Sequence, residues 1–224
     1  MADQAGVQPL ILNMDINGNP FIVHAALLWD EQEVVLVDTG LPGQLGLIRD
    51  KLAEASFPFE KLTKIIITHH DMDHIGSLPD LVNASEGRIE VLAHELGKPY
   101  ILGEVPAVKS KRLATPSKVD VLLQDGDVLP YCGGIQVIFT PGHTPDHISL
   151  YHPNSQTLIA GDALTSQDGV LMPPNPQFTP DMPLALKSVA KMLDYDIKTV
   201  ITYHGGVCTE NIKERLAEIA NGQA

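Results

Sequence analysis

The feature that most limits what this chain can fold into is His69-His70-Asp71-Met72-Asp73-His74, set directly behind Lys64-Ile-Ile-Ile-Thr68. The apolar, β-branched run reads as a short buried strand. The polar cluster therefore lies on the loop at that strand's C-terminal end. The same arrangement recurs four times. Val34–Val37 precedes Asp38, Gly134–Thr140 stops at Pro141-Gly142 before His143, Thr157–Ala160 leads through Gly161 to Asp162, and Lys198–Thr202 precedes His204. Five strands that each end in a polar residue can face one crevice, the usual site of α/β proteins.

His69, Asp71, Asp73, His74, His143, Asp162 and His204 form a set of imidazoles and carboxylates suited to zinc and its first-row neighbours. Four of them fall within six residues, a density that solvated-turn chemistry does not require. Two ions held close together can carry a hydroxide between them, a nucleophile usable at neutral pH, so the set points to hydrolysis. His24, His94 and His152 have no such surroundings and read as ordinary hydrogen-bonded histidines. His70 fills the spacer between His69 and Asp71 and reads as a non-ligand, because adjacent residues on an extended loop point apart.

These motifs resemble the metallo-β-lactamase fold superfamily, whose pattern runs Thr-His-x-His-x-Asp-His, Gly-His-Thr, Gly-Asp and a late His-Gly. The resemblance extends from Val34 to Gly205. It implies an α/β, four-layer αββα sandwich made of two similar β/α halves. It also implies two divalent ions per chain, one held by His69, Asp71 and His143, the other by Asp73, His74 and His204. Asp162 would bridge them, Asp38 would orient a ligand from behind, and Asp73 and Asp162 would be the catalytic carboxylates.

The chain departs from the usual pattern at Asp71, where the family commonly has histidine. An acidic residue there is similar to the superfamily's flavodiiron branch. Two divalent ions bring four positive charges, and Asp71, Asp73, Asp162 and one hydroxide bring four negative ones. The usual site keeps one net positive charge. A neutral core is a weaker Lewis acid and shifts preference toward harder ions. Zinc is the first expectation for the metal, with manganese or iron as alternatives.

The resemblance implies a binuclear metal-dependent hydrolase acting on a small ester, lactone or thioester through a metal-bridging hydroxide. Acyl-homoserine lactonases of this superfamily often place tyrosine three residues after the bridging aspartate, where this chain has Thr165. Glyoxalase II-like thioesterases are similar in layout, but no dedicated glutathione-binding segment follows Asp162. The alternative from another class is a diiron oxidoreductase related to the flavodiiron branch, although no flavin domain is expected in these residues. A metal-binding protein without catalysis is disfavoured by the intact set of seven.

At 224 residues the chain is expected to form a single domain over 1–224, its halves meeting near 115–120. The net charge of −13 argues against a nucleic-acid partner. No apolar run is long enough to span a bilayer, and the first seven residues lack a basic head or apolar stretch, so neither membrane nor signal peptide is expected. Cys132 and Cys208 lack zinc-knuckle spacing and read as free thiols in a reducing cytoplasm. A small-molecule substrate is the expected partner.

Periodicity predicts a helix over Gly43–Ala55 and another after Thr209 with Ile212, Leu216 and Ile219 on one side. A third is expected after Thr179, with Pro180 at the first helical position and Asp181 in the first turn, ending near Asp194. Two loops are candidates for the pocket wall. Residues 98–118 hold Lys98, Lys109, Lys111, Arg112 and Lys118 against Glu104, a local excess of four positive charges, which reads first as solvated surface and second as an anion guide. Residues 165–179, with Pro173, Pro174, Pro176 and Phe178, read as an apolar wall or a stiff connection.

Overall fold

A computed structural model describes residues 5–223. The expectation of no signal peptide falls largely on residues 1–4, outside the described residues. Strands β1 (Gly6–Ile16), β2 (Asn19–Trp29), β3 (Val34–Val37), β4 (Lys64–Ile67), β5 (Glu90–His94) and β6 (Val121–Leu123) form one sheet in that order. The first three pair antiparallel and the last four pair parallel. The second sheet contains β7 (Val128–Leu129), β8 (Ile135–Phe139), β9 (Ile148–His152), β10 (Thr157–Gly161), β13 (Thr199–Thr202) and β14 (Gly206–Cys208), in the order β14-β13-β10-β9-β8-β7. A small hairpin of β11 (Thr165–Gln167) and β12 (Val170–Met172) follows β10. The helices are α1 (Leu45–Glu54), α2 (Met72–Ile75), α3 (Leu78–Ala84), α4 (Lys98–Ile101), α5 (Met182–Lys191) and α6 (Ile212–Ala220).

The β-strand period of two sorts the side chains into three apolar interfaces. Leu36, Ile65 and Ile67 point outward to Ile48 and Leu52 of α1 and to Leu78 and Leu81 of α3. Their neighbours Val35, Val37 and Ile66 point inward against Ile135, Val137, Ile148, Leu150, Ile159 and Ile201 of the second sheet. On the far side, Ile138, Leu158, Ala160 and Val200 meet Val189 of α5 and Ile212, Leu216 and Ile219 of α6. Helix, sheet, sheet and helix thus give the αββα sandwich expected from the motifs. Burying a large aliphatic side chain contributes about 1.5–3 kcal/mol, so strands apolar on both faces are held firmly in the middle.

Two local expectations change. Asp181, not a residue before Pro180, caps α5: its carboxylate accepts from Leu184 N–H at 3.0 Å. Pro183, not Pro180, lies in the first turn, where a missing N–H costs nothing. The chain passes between sheets after Leu123, a few residues beyond 115–120, because Val121–Leu123 pairs parallel with Leu92–His94 in the first sheet.

Candidate metal centre

Asp38, His69, His143, Asp162 and His204 all follow C-terminal strand ends at one rim of the sandwich. Asp73 and His74 belong to α2, a single turn that begins one residue after Asp71. The seven residues proposed as ligands converge there. His69, His143 and Asp162 offer donor atoms within 4.8 Å of one another, and so do Asp73, His74 and His204. Asp162 lies between the sets: Oδ1 is 3.3 Å from His74 Nε2, and Oδ2 is 3.1 Å from His143 Nε2 and 3.5 Å from His204 Nε2. Asp73 Oδ2 is 3.2 Å from His204 Nε2. Asp71 joins the first set through Oδ2, which is 3.1 Å from both His69 Nε2 and His143 Nε2.

The donor set fits two cations. His74 Nε2 and Asp162 Oδ1 are fully buried and face each other, yet neither makes a hydrogen bond of acceptable geometry. Such an orphaned group costs about 1–3 kcal/mol, which a shared positive ion would relieve. Nitrogen and carboxylate oxygen in these numbers suit zinc, manganese or iron.

The electrostatics also favour cations. Burial would raise the Asp162 carboxyl, but the His74 imidazole and hydrogen bonds from His143 and His204 hold it well below the usual carboxylate range. Burial works the same way on Asp71, and the His143 and His69 rings against its carboxylate, aided by the Lys109 ammonium, outweigh it. Burial would lower His204, but hydrogen bonds to Asp162 and Asp73 push it up to about 9.

A layer of residues behind the donors fixes their directions. Asp38, in the left-handed region at φ 65° as β3 ends, accepts from Thr68 N–H at 2.8 Å, Thr68 Oγ1–H at 2.7 Å and His74 Nδ1–H at 2.8 Å. The Thr68 hydroxyl in turn lies 3.1 Å from His69 Nδ1. Both imidazoles therefore turn Nε2 toward the centre. Sequence reasoning missed His147, Asp146 and Tyr203. His147 is fully buried, and its Nε2 accepts from Asp162 N–H at 2.9 Å. Gly161 sits at φ 54°, and a Cβ there would come within 2.7 Å of His147 Nε2, so the turn into Asp162 needs glycine. Tyr203 stacks on His74 at 3.8 Å, accepts from Gly40 N–H at 3.2 Å, and donates to the Asp73 carbonyl. The signals were present: His147 closes the segment Gly-His-Thr-Pro-Asp-His, and Tyr203 adjoins His204.

His70 turns away from the centre. Its Nδ1 lies 2.6 Å from Asp146 Oδ1, its Nε2 accepts from Val108 N–H at 3.2 Å, and its ring stacks on Tyr100. His94 accepts from Leu96 N–H and stacks on Phe139, while His152 bonds Ser155 and the Cys132 carbonyl. His24 lies outside the donor set. Cys208 packs among the outer apolar residues near α6.

Five of the donors, Asp71, Asp73, His143, Asp162 and His204, line the floor of a cavity of about 540 Å³. Phe21, Leu41, Met72, Ala107, Ala114 and Phe178 make much of its wall. From residues 165–179 only Thr165, Asn175 and Phe178 reach it, and from residues 98–118 the one lysine or arginine that does is Lys109. The basic stretch is thus mostly surface: Lys118, for example, pairs with Asp120 and the Gly87 carbonyl.

Comparison with known proteins agrees with this geometry. The family model of the metallo-beta-lactamase superfamily matches residues 18–204. The probable metallo-hydrolase YflN of Bacillus subtilis is 31% identical over 217 residues, covering 84% of this chain and 81% of that protein. A hydroxyacylglutathione hydrolase of Idiomarina loihiensis is 33% identical over 139 residues, covering 61% of this chain and 44% of its own. Among solved structures, a metallo-beta-lactamase family protein from Thermus thermophilus superposes with a TM-score of 0.73 at 24% identity, covering 97% of this chain and 79% of that one.

Proposed function

The chain belongs to the metallo-beta-lactamase superfamily of hydrolytic enzymes, and from that premise we propose that it is a binuclear hydrolase of a small ester, lactone or thioester. The observation that carries the reading is the pair of donor sets sharing Asp162 at the floor of a largely apolar cavity. His69, Asp71 and His143 would hold one ion, Asp73, His74 and His204 the other, with Asp162 between them. Bound divalent ions supply Lewis acidity toward a carbonyl and make water a nucleophile at neutral pH. The chain's own groups do the rest. The apolar wall strips water from an acyl group and turns its carbonyl toward the floor. Asp73, partly open to the cavity, is placed to take the proton of the attacking water and return it to the leaving alcohol or thiol. With a net charge of −13, the substrate is a small molecule rather than a nucleic acid.

Metal analysis of protein purified without added metal, followed by lactone, thioester and phosphoester substrates on the same sample, tests this reading. Carbonyl esters should be cleaved, and a chelator should abolish turnover. Thioesters belong in the panel because relatives are named hydroxyacylglutathione hydrolases. Cleavage of phosphoesters alone would refute the proposal. A second reading, an iron-pair oxidoreductase, draws on Asp71 Oδ2 standing 3.1 Å from both His69 and His143. Tightly held iron with oxygen uptake in place of hydrolysis would select it.

A further inference from the structure

We propose that Lys109 is the residue through which this site recognises an anionic group on its substrate, its ammonium answering the extra carboxylate of Asp71. The inference rests on the hydrolase reading above and adds the charge of the substrate to it.

Position comes first. Among the described residues, Lys109 is the only lysine or arginine lining the cavity. Its ammonium pairs with the Asp71 carboxylate, lies 2.6 Å from His143 Nε2 and donates to the Phe178 carbonyl at 3.2 Å. It therefore stands beside the donor set that would hold the first ion.

Presentation comes second. The backbone that carries Lys109 is anchored rather than loose. Val108 N–H donates to His70 Nε2, while the other side of that ring is held by Asp146 at 2.6 Å and its face is stacked on Tyr100 at 3.9 Å. Ala107 N–H donates to the Arg112 carbonyl and Lys111 N–H to the Ala107 carbonyl, closing the turn around Lys109. The stem is thus delivered toward the centre from a fixed base. His70, the one histidine of the motif that is not a donor, is a positioning residue for this lysine.

Charge comes third. The ammonium and a divalent ion cannot both use His143 Nε2 and the same oxygen of Asp71, because the two cations would repel at contact distance. With an ion held there, the ammonium would have to give up His143 Nε2, and the space open to it is the cavity that Lys109 already lines. A histidine at position 71 would leave the two-ion core with one net positive charge. Asp71 cancels it, so the core alone does not favour an anion. Lys109 restores that charge, on the side from which substrate approaches. A carboxylate on the acyl portion of an ester would meet it as a charge-assisted hydrogen bond.

The test compares metal-loaded parent, Lys109→Met and Lys109→Arg on neutral 4-nitrophenyl acetate and on the anionic mono-4-nitrophenyl ester of succinic acid. The readout is the ratio of kcat/KM for the anionic over the neutral ester. Binding of succinate by calorimetry, which needs no turnover, is measured on the same proteins with their metal content. Lys109→Met should lower the ratio about tenfold or more and weaken succinate by a similar factor, and Lys109→Arg should recover much of both. An unaltered ratio and unaltered succinate affinity in Lys109→Met would overturn the proposal. Equal loss on both esters with unchanged succinate affinity would also overturn it, since that is a structural effect. If no ester is cleaved by the parent, the ester reading falls while succinate binding still decides Lys109.

Discussion

Replacing Asp38 by Asn should weaken both ions through the protonation of two histidines. The Asp38 carboxylate makes three buried contacts: Oδ1 accepts from Thr68 N–H, and Oδ2 accepts from the Thr68 hydroxyl and His74 Nδ1–H. Having given its proton to Asp38, the Thr68 hydroxyl accepts from His69 Nδ1–H. Each ring thereby keeps a bare Nε2 for the centre. In Asp38→Asn the amide oxygen stays with Thr68 N–H, because the reverse orientation would set two donors together in a buried site. The amide NH2 then faces His74 Nδ1 and the Thr68 hydroxyl. His74 must accept at Nδ1 and carry its proton on Nε2. The hydroxyl turns toward His69 Nδ1 with the same result. Asn tolerates φ 65°, so the backbone stays as it is. Loss of such a supporting bond typically costs 10–100-fold in metal affinity, about 1.4–2.7 kcal/mol per ion. His69 and His74 belong to different donor sets, so both ions should weaken. Zinc titration against a chromophoric chelator resolves the two affinities. An Asp38→Asn protein that binds both ions within twofold of the parent would refute the account. Asp38→Ala should go further, leaving up to three buried donors unpaired at about 1–3 kcal/mol each, and should lower the melting temperature without metal as well.

Asp162→Ala removes the carboxylate shared by the donor sets, so elemental analysis should show lower occupancy of at least one site; full, unchanged loading would remove Asp162 from the assignment. Asp71→His should raise the core charge by one and shift preference toward zinc over manganese or iron, while Asp71→Ala should lose metal and most activity, both read by metal competition. Two tightly bound ions should stabilise the chain: at 1,000 times the dissociation constant each contributes about 4 kcal/mol, so calorimetry with and without chelator should differ by roughly 8–16 °C per ion. Burial pushes the Cys132 thiol up to about 12, with Asp30 and Glu33 nearby adding to it, and burial raises Cys208 as well. Neither should be alkylated at pH 8 until denaturant is added, and stoichiometric labelling of the folded protein would contradict the packing.

The parts of the fold that could be read in the sequence are those fixed by local pattern. Val34–Val37 and Lys64–Ile67 are short apolar runs because both faces of their sheet are covered, and they lie where the pattern placed them. Helix α6 carries Ile212, Leu216 and Ile219 on its buried side for the same reason. The long β1–β2 hairpin went unread although Asn17-Gly18, both at positive φ, marks its turn. Its strands alternate weakly, since Ile11, Ile16 and Ile22 are exposed and blur the period. The start of α5 was misplaced because Pro180 and Pro183 are equally good first-turn residues in sequence. Only the Asp181 carboxylate bonded to Leu184 N–H decides between them.

The site divides along the same physical line. A residue that offers a donor atom must stand at a strand end or one turn beyond it, and those places have a local signature. The groups that aim the donors are marked only faintly, Asp38 by its strand end, His147 by closing its motif and Tyr203 by adjoining His204, because their contacts form only when distant segments close. His147 reaches Asp162 N–H across the hairpin joining β9 to β10, and Tyr203 reaches Gly40 from 163 positions away in the chain. The basic stretch makes the point most sharply. Counting charge over residues 98–118 suggests a diffuse field, yet its cavity function narrows to Lys109. That choice is made by a bond from Val108 to His70, the residue whose spacing alone marked it as a bystander. A non-donor inside a metal motif is therefore a place to look for the contact that builds the substrate wall. In this chain the contact joins the motif to the loop that supplies the cavity's lysine.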